Sequence, residues 1–157
     1  MERILGTDVH SLITPRLAAV IPVLVAGGAG NNAAVTGLVI DRFAFGSLPL
    51  CADLVLGFDA SLAAGDTLSL KAVSLQTSTD GVNFSAYASF ADPGVVATGP
   101  AGGGAVQGQV RFGVNLSSAN RYLRLAFTPV LSAAANDTAR LAALLILAGF
   151  DTWPAPL

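Results

Sequence analysis

Along residues 105–116 the sequence AVQGQVRFGVNL alternates with a period of two. Val106, Val110, Phe112, Val114 and Leu116 fall on one parity, and Gln107, Gln109, Arg111 and Asn115 on the other. That is the pattern of a strand with one face in a core and the other in water. The same period places Leu54, Leu56 and Phe58 on one face within 53–60. Within 121–131 it sets Leu123, Leu125 and Phe127 opposite Tyr122 and Arg124. Residues 17–25 (LAAVIPVLV) are a β-rich run in which Pro22 demands an edge or a bulge. Residues 36–43 (TGLVIDRF) predict a further strand. The run LSLKAVSLQTS (68–78) changes parity: Leu68, Leu70 and Ala72 share one, and Val73, Leu75 and Thr77 the other. A bulge at Ala72-Val73 returns the apolar residues to one side.

Residues 137–151 (DTARLAALLILAGFD) fit two periods. Leu141, Leu144, Leu145 and Ala148 lie on one face of a helix that Asp137 or Thr138 would cap. The same run fits a closing strand that is apolar because both of its faces are covered. The β-rich surroundings favour the strand. Segments 26–34 (AGGAGNNAA), 63–66 (AAGD) and the pair Asp80-Gly81 read as loops and turns, and 91–106 as a long exposed connection. About eight short strands separated by such punctuation predict an all-β antiparallel β-sandwich. The long gaps between them suit jelly-roll-like crossovers. Residues 1–16 read as an extended N-terminal arm and 17–157 as one β-sandwich domain.

Composition then points outward from the core. Hydrophobic residues make up 53% of the chain and charged residues only 11%, against about 25% charged in typical soluble domains. Such a chain exposes broad apolar surface, and broad apolar surface marks contact. A membrane is a poor candidate for that contact. Residues 17–30 are interrupted by Pro22 and glycines and 141–150 are too few, whereas a spanning helix takes roughly 18 apolar residues. The regular segments and aromatic girdles of a membrane barrel are not visible either. The first residues carry no basic-then-apolar signal pattern. A net charge of −2 gives no basic footprint for a nucleic acid. Contact with other protein chains is the reading that remains.

Candidate chemistry is sparse. The one histidine, His10, falls in the arm: no second one exists to build a metal site of the usual kind, and a Ser–His–Asp triad would need His10 itself fixed inside a pocket, against its setting. The one cysteine, Cys51, follows Pro49-Leu50 with no basic neighbour and reads as a small packing residue. The carboxylates sit at turns and strand ends, and no spacing selects a glycosidase pair. A loose calcium site at Asp80 and Asn83 is an open alternative, although TDGVN lacks the ligand series of a helix–loop–helix site. The glycine clusters lack the Gly-Lys-Ser/Thr of a phosphate loop. Three Asn-x-Ser/Thr triplets, at Asn83, Asn115 and Asn136, read as chance matches. The expectation is of no enzyme and no cofactor.

Two resemblances meet at one corner. SLQTSTDGVNFSAYA followed by ANRYLRLAF resembles discoidin-type carbohydrate- or lipid-binding modules. That resemblance implies that Asp80-Gly81 reverses the chain, that Phe84 packs inward to pin the returning segment, and that Tyr122 and Arg124 lie on a core-sheet strand. This chain has no tryptophan at the corner and no terminal cysteine pair. The longer resemblance runs from Gly37 to Pro154 and is carried by the order of VIDRFAFGSLPLCADLVLG, TLSLKAVSLQTSTDGVNFSAY and ANRYLRLAFTPVLSAAANDTARLAALLILAGFDTWPAP. In that order the chain resembles head decoration, or cement, proteins of tailed phages. It implies a β-sandwich on the capsid surface of the virion, made in the host cytoplasm. Its partners would be the major capsid protein and further copies of itself, as a homotrimer, with no nucleic acid and no membrane. A tail or fibre component of the same particle is the neighbouring alternative. The corner residues Asp80, Gly81 and Phe84 then have a structural role.

Overall fold

The computed structural model describes residues 12–44, 47–132 and 136–150. One antiparallel sheet contains β1 (Ile13–Val25), β4 (Pro49–Leu62), β8 (Gly104–Asn115) and β10 (Thr138–Phe150), in the order β1-β10-β4-β8. In the other, β9 (Tyr122–Leu131) and β5 (Thr67–Ser78) pair at the centre. The pieces β2 (Val35–Thr36) and β3 (Ile40–Asp41) flank β9, while β6 (Ser85–Ser89) and β7 (Gly94–Thr98) flank β5. With each split edge counted once, the strand orders are 1-8-3-6 and 2-7-4-5. Every connection except that between the fourth and fifth strands passes from one sheet to the other. This is a jelly-roll arrangement of two Greek keys.

Alternation builds the core. Leu54, Leu56, Phe58, Ala60 and Leu62 of β4 face Leu68, Leu70, Val73 and Leu75 of β5 and Leu123, Leu125 and Phe127 of β9, all buried. The parity change in β5 is a bulge: Lys71 pairs with Thr128 and Ser74 with Ala126, so Ala72 and Val73 together oppose Phe127. Ala72 takes φ of 51° and points outward, which brings Val73 back to the core. Its N–H donates to Asp92 Oδ1 at 2.7 Å.

Residues 138–150 form a strand, which removes the helical alternative. With β1 on one side and β4 on the other, β10 pairs its backbone along its whole length. Ala139, Leu141, Ala143, Leu145 and Leu147 fill the core, but no element covers the opposite face of β10. The expected cover on both faces is therefore absent within the described residues.

Several boundaries differ from the sequence reading, among them the strand read over 53–60, which runs from Pro49 to Leu62. The first strand begins at Ile13 rather than Leu17, because pairing with β10 continues to Ala148 and Thr14 is buried. Residues 1–11 of the expected arm lie outside the described residues. Residues 94–98 of the expected loop form β7, paired with the first half of β5. The strand expected over 36–43 is cut at Gly37. Here the chain leans across to the other sheet, with Gly37 N–H donating to Leu125 O (2.8 Å) and Leu38 N–H to Ala18 O (2.7 Å).

That crossing closes one flank of the sandwich. On the other flank the rings of Phe90 and Phe112 lie 4.8 Å apart and Tyr87 Oη donates to Asn115 O at 2.7 Å. A buried polar side chain lies at each end. Arg42 donates to Ala119 O and Pro49 O, both at 2.6 Å. At the opposite end Asp137 Oδ1 accepts from Ala63 N–H at 2.8 Å.

Candidate functional site

The corner at Ser78–Phe84 is held by its own donors. Asp80 Oδ1 accepts from the backbone N–H groups of Val82 (2.9 Å) and Asn83 (2.8 Å) and from Ser78 Oγ (2.7 Å), while Oδ2 accepts from Asn83 Nδ2 (2.7 Å). The Asn83 N–H foremost, then the Ser78 hydroxyl, hold the Asp80 carboxyl well below its ordinary range. Gly81, at φ 75°, lies under the Tyr122 ring. Among the described residues no group of three or more His, Cys, Asp or Glu side chains gathers as a metal site.

Phe84 does not enter the core. It is half-buried on the outer face of the β9–β5 sheet, where the Arg124 guanidinium stands 4.0 Å from its ring centre. Arg124 also donates to Gln76 Oε1 through Nε (3.0 Å) and Nη2 (2.7 Å). Tyr122 and Arg124 are on β9, a central strand, but on its outward parity. Beside them Arg121 bonds Asp41 through both Nε and Nη2 and lies over Tyr122 at 5.0 Å. The inward place implied for Phe84 is thus corrected. Beyond Asn83 the chain rejoins β5 at its edge, and the core beneath is already filled by Leu75 and Leu123. His10 and Trp153 lie outside the described residues.

The second candidate is the outer face of the β1-β10-β4-β8 sheet. Register places three rungs across it: Pro15–Ile146–Asp53–Gly113, Leu17–Leu144–Val55–Arg111 and Val20–Ala142–Gly57–Gln109. Leu17, Val20 and Leu144 are 47%, 53% and 40% exposed. Ala142 and Gly57 leave the middle of the third rung low, and Val20, Leu17 and Leu144 stand beside it. Cys51, exposed, lies at one end of the face between Ala148 and Asn115. Near the other end are two shallow hollows of about 360 and 330 Å³ beside Pro22 and Arg140. Charged groups stand on the inner strands as well, Asp53 and Asp59 on β4 and Arg140 on β10. Arg111 Nε donates to Asp53 Oδ2 at 2.9 Å, and Arg140 sits opposite Asp59 in register.

Exposed apolar side chains on neighbouring strands in one sheet make a contact surface, unlike single scattered ones. The sequence contained this signal in the second parity of 138–150, where Leu144 and Ile146 alternate with the core residues.

No protein-family model and no curated protein matches the chain. Solved structures are. A chain of infectious bursal disease virus, Gx strain, aligns with a TM-score of 0.50 at 10% identity, over 87% of this chain and 32% of that one. The VP2 subviral particle of infectious bursal disease virus aligns at 0.45 and 12%, over 86% and 31%. Dimeric latent PorU from Porphyromonas gingivalis aligns at 0.36 and 13%, over 91% and 13%. The chain spans about a third of the length of the two viral chains, and at 10% identity the likeness to the Gx-strain chain is one of fold.

Proposed function

We propose that this chain is a structural protein of a virus particle, and specifically that it decorates the capsid of a tailed phage by binding between capsid subunits. The observation that carries this reading is the outer face of the β1-β10-β4-β8 sheet, where Leu17, Val20 and Leu144 are exposed side by side. A face of this kind gains roughly 25 cal/mol for each Å² of apolar surface it buries, before the costs of association. Repetition over a symmetric shell turns a modest contact into a large avidity. The low charge of the chain and its fold likeness to a chain of infectious bursal disease virus support the same reading. The role it assigns is contact with capsid protein and with further copies of this chain at the surface of the virion. It assigns no reaction and no cofactor.

The test is binding to shells. Purified chain is mixed with phage capsids that lack it, then sedimented and imaged by electron microscopy. Saturable cosedimentation, density at fixed sites between subunits, and a higher temperature of shell disruption are the expected results. A chain that stays in the supernatant with every capsid of its own particle sinks the proposal.

A further inference from the structure

From the same surface, and resting on the assembly reading above, we infer that the outer face of the β1-β10-β4-β8 sheet is covered by a second copy of this chain, packed face to face about a two-fold axis.

Three properties of the face select a copy of itself over a partner of different chemistry. The first is charge. The outward residues of its four strands include two arginines, Arg111 and Arg140, and two aspartates, Asp53 and Asp59. Arg111 bonds Asp53, and Arg140 lies opposite Asp59 across the β10–β4 pairing. The face is neutral: its charges lie on β10, β4 and β8, and its exposed apolar side chains gather on β1 and β10. Two copies therefore bring no net charge against each other, and no strongly acidic or basic partner is favoured.

The second property is size. Four strands about 4.8 Å apart and about a dozen residues long at ~3.3 Å each give a face of roughly 760 Å². A standard interface buries about 800 Å² on each partner. One whole face against another reaches that size without help from the loops.

The third is shape. The rung Val20–Ala142–Gly57–Gln109 is low at its middle, where Ala142 and Gly57 sit, and the adjoining rung raises Leu144 and Val55 beside that gap. Sheets packed face to face interdigitate such rows about 10 Å apart, with their strands within about 30° of each other. An isologous contact lets the raised row of each copy settle on the low row of the other.

The full chain is examined by sedimentation velocity and light scattering over a hundredfold concentration range. The expected mass is twice that of one chain. Leu144→Asp and Val20→Asp, both outside the core, are each expected to give a monomer with unchanged circular dichroism and at least a tenfold weaker self-association. Val95→Asp, on the other sheet and 56% exposed, is the control and leaves the dimer intact. Cys51, on the same face, reports independently: its alkylation by N-ethylmaleimide is expected to quicken at least tenfold in Leu144→Asp. A wild-type monomer at all concentrations overturns the inference. So does a trimer, which an isologous contact cannot close, or a dimer that survives both substitutions with Cys51 equally reactive. A monomeric wild type that still cosediments with capsids, while Leu144→Asp does not, removes the two-fold contact and leaves the decoration reading in place. A dimer that binds no capsid does the reverse.

Discussion

The guanidinium of Arg124 covers the ring of Phe84, 4.0 Å from its centre, and the same guanidinium is held in place by Gln76. The returning segment after the Asp80-Gly81 turn is thereby fixed to the outside of the sheet. Because the ring is half-buried, Phe84→Ala is expected to cost about 1–2 kcal/mol, well below the ~3–5 kcal/mol of a core phenylalanine. A double-mutant cycle with Arg124→Met should give a coupling of about 0.5–1 kcal/mol by urea unfolding. A loss above ~3 kcal/mol for Phe84→Ala would mean that the ring belongs to the core.

Gly37 lies between the two sheets on the β1 flank, bonded to Leu125 of one and next to Ala18 of the other. A Cβ there would stand 2.4 Å from Ala18 O and 3.1 Å from Leu125 O, both backbone atoms that cannot turn aside. Gly37→Ala must therefore separate the flank, and with it the bond from Leu38 N–H to Ala18 O. The expected loss is roughly 2–4 kcal/mol, read as a lower midpoint of thermal unfolding. Gly113, whose Cβ would meet nothing within 4 Å, is the control: Gly113→Ala should leave the midpoint within a degree or two.

Asp80 makes the turn sensitive to acid. Its carboxyl in the folded chain is held below its ordinary value of 3.8 by the donors of its own loop. A group depressed on folding stabilises the fold above the unfolded value, and that contribution is lost as the pH falls through the folded value. Asp41, depressed chiefly by its bond to Arg121, acts in the same direction. Asp80→Asn should therefore unfold more readily than wild type at pH 7. The difference should shrink steadily as the pH is lowered from about 4. A gap that is constant with pH would show that the charge of Asp80 has no part in holding the corner. Denaturant unfolding at a series of pH values measures it.

Ala72 occupies the left-handed region at φ 51°, where a side chain is strained by about 1–2 kcal/mol. Its exposure means that little packing is lost with its methyl group. Ala72→Gly is expected to raise stability by up to about 1 kcal/mol, the relief of strain being partly offset by the greater freedom of glycine in the unfolded chain. A lower melting temperature for this variant would show that the methyl contributes more than the strain costs.

That bulge was legible because it leaves a trace in the pattern: the apolar parity changes between Leu70 and Val73, and only an inserted residue reconciles the two halves. Other features leave no such trace. In β10 both parities are apolar, so periodicity identifies a strand but cannot tell the core side from the outer one. Leu144 and Leu145 are equivalent in sequence and opposite in the fold. The cut at Gly37 arises from Ala18, a residue of the other sheet, and β7 is built from a Gly-Val-Val-Ala-Thr segment that follows Asp-Pro and precedes Gly-Pro, where composition reads loop. The inward place of Phe84 is only what the resemblance implies. Its neighbour Arg124 arrives on a strand that only the sheet order brings alongside.

Arg42 is the largest polar group buried in the described residues, at 1% exposure. Its Nη1 and Nη2 reach the carbonyls of Ala119 and Pro49, and its own N–H donates to Arg121 O. It therefore ties the segment after β3 to the start of β4 and to the β8–β9 loop at one end of the sandwich. No ion pair to Arg42 is found among the described residues, and burial draws its pKa downward. Arg42→Lys keeps the charge, and so keeps the cost of burying it, but a single ammonium cannot span two carbonyls on opposite sides of a planar fork. The loss of one such bond should cost about 1–3 kcal/mol. The effect should appear first as faster amide exchange at Arg42, Leu116 and Ala119, whose N–H groups bond within these loops, before global unfolding. If exchange there is unchanged and the stability of Arg42→Lys equals that of wild type, the guanidinium is not what holds this end together.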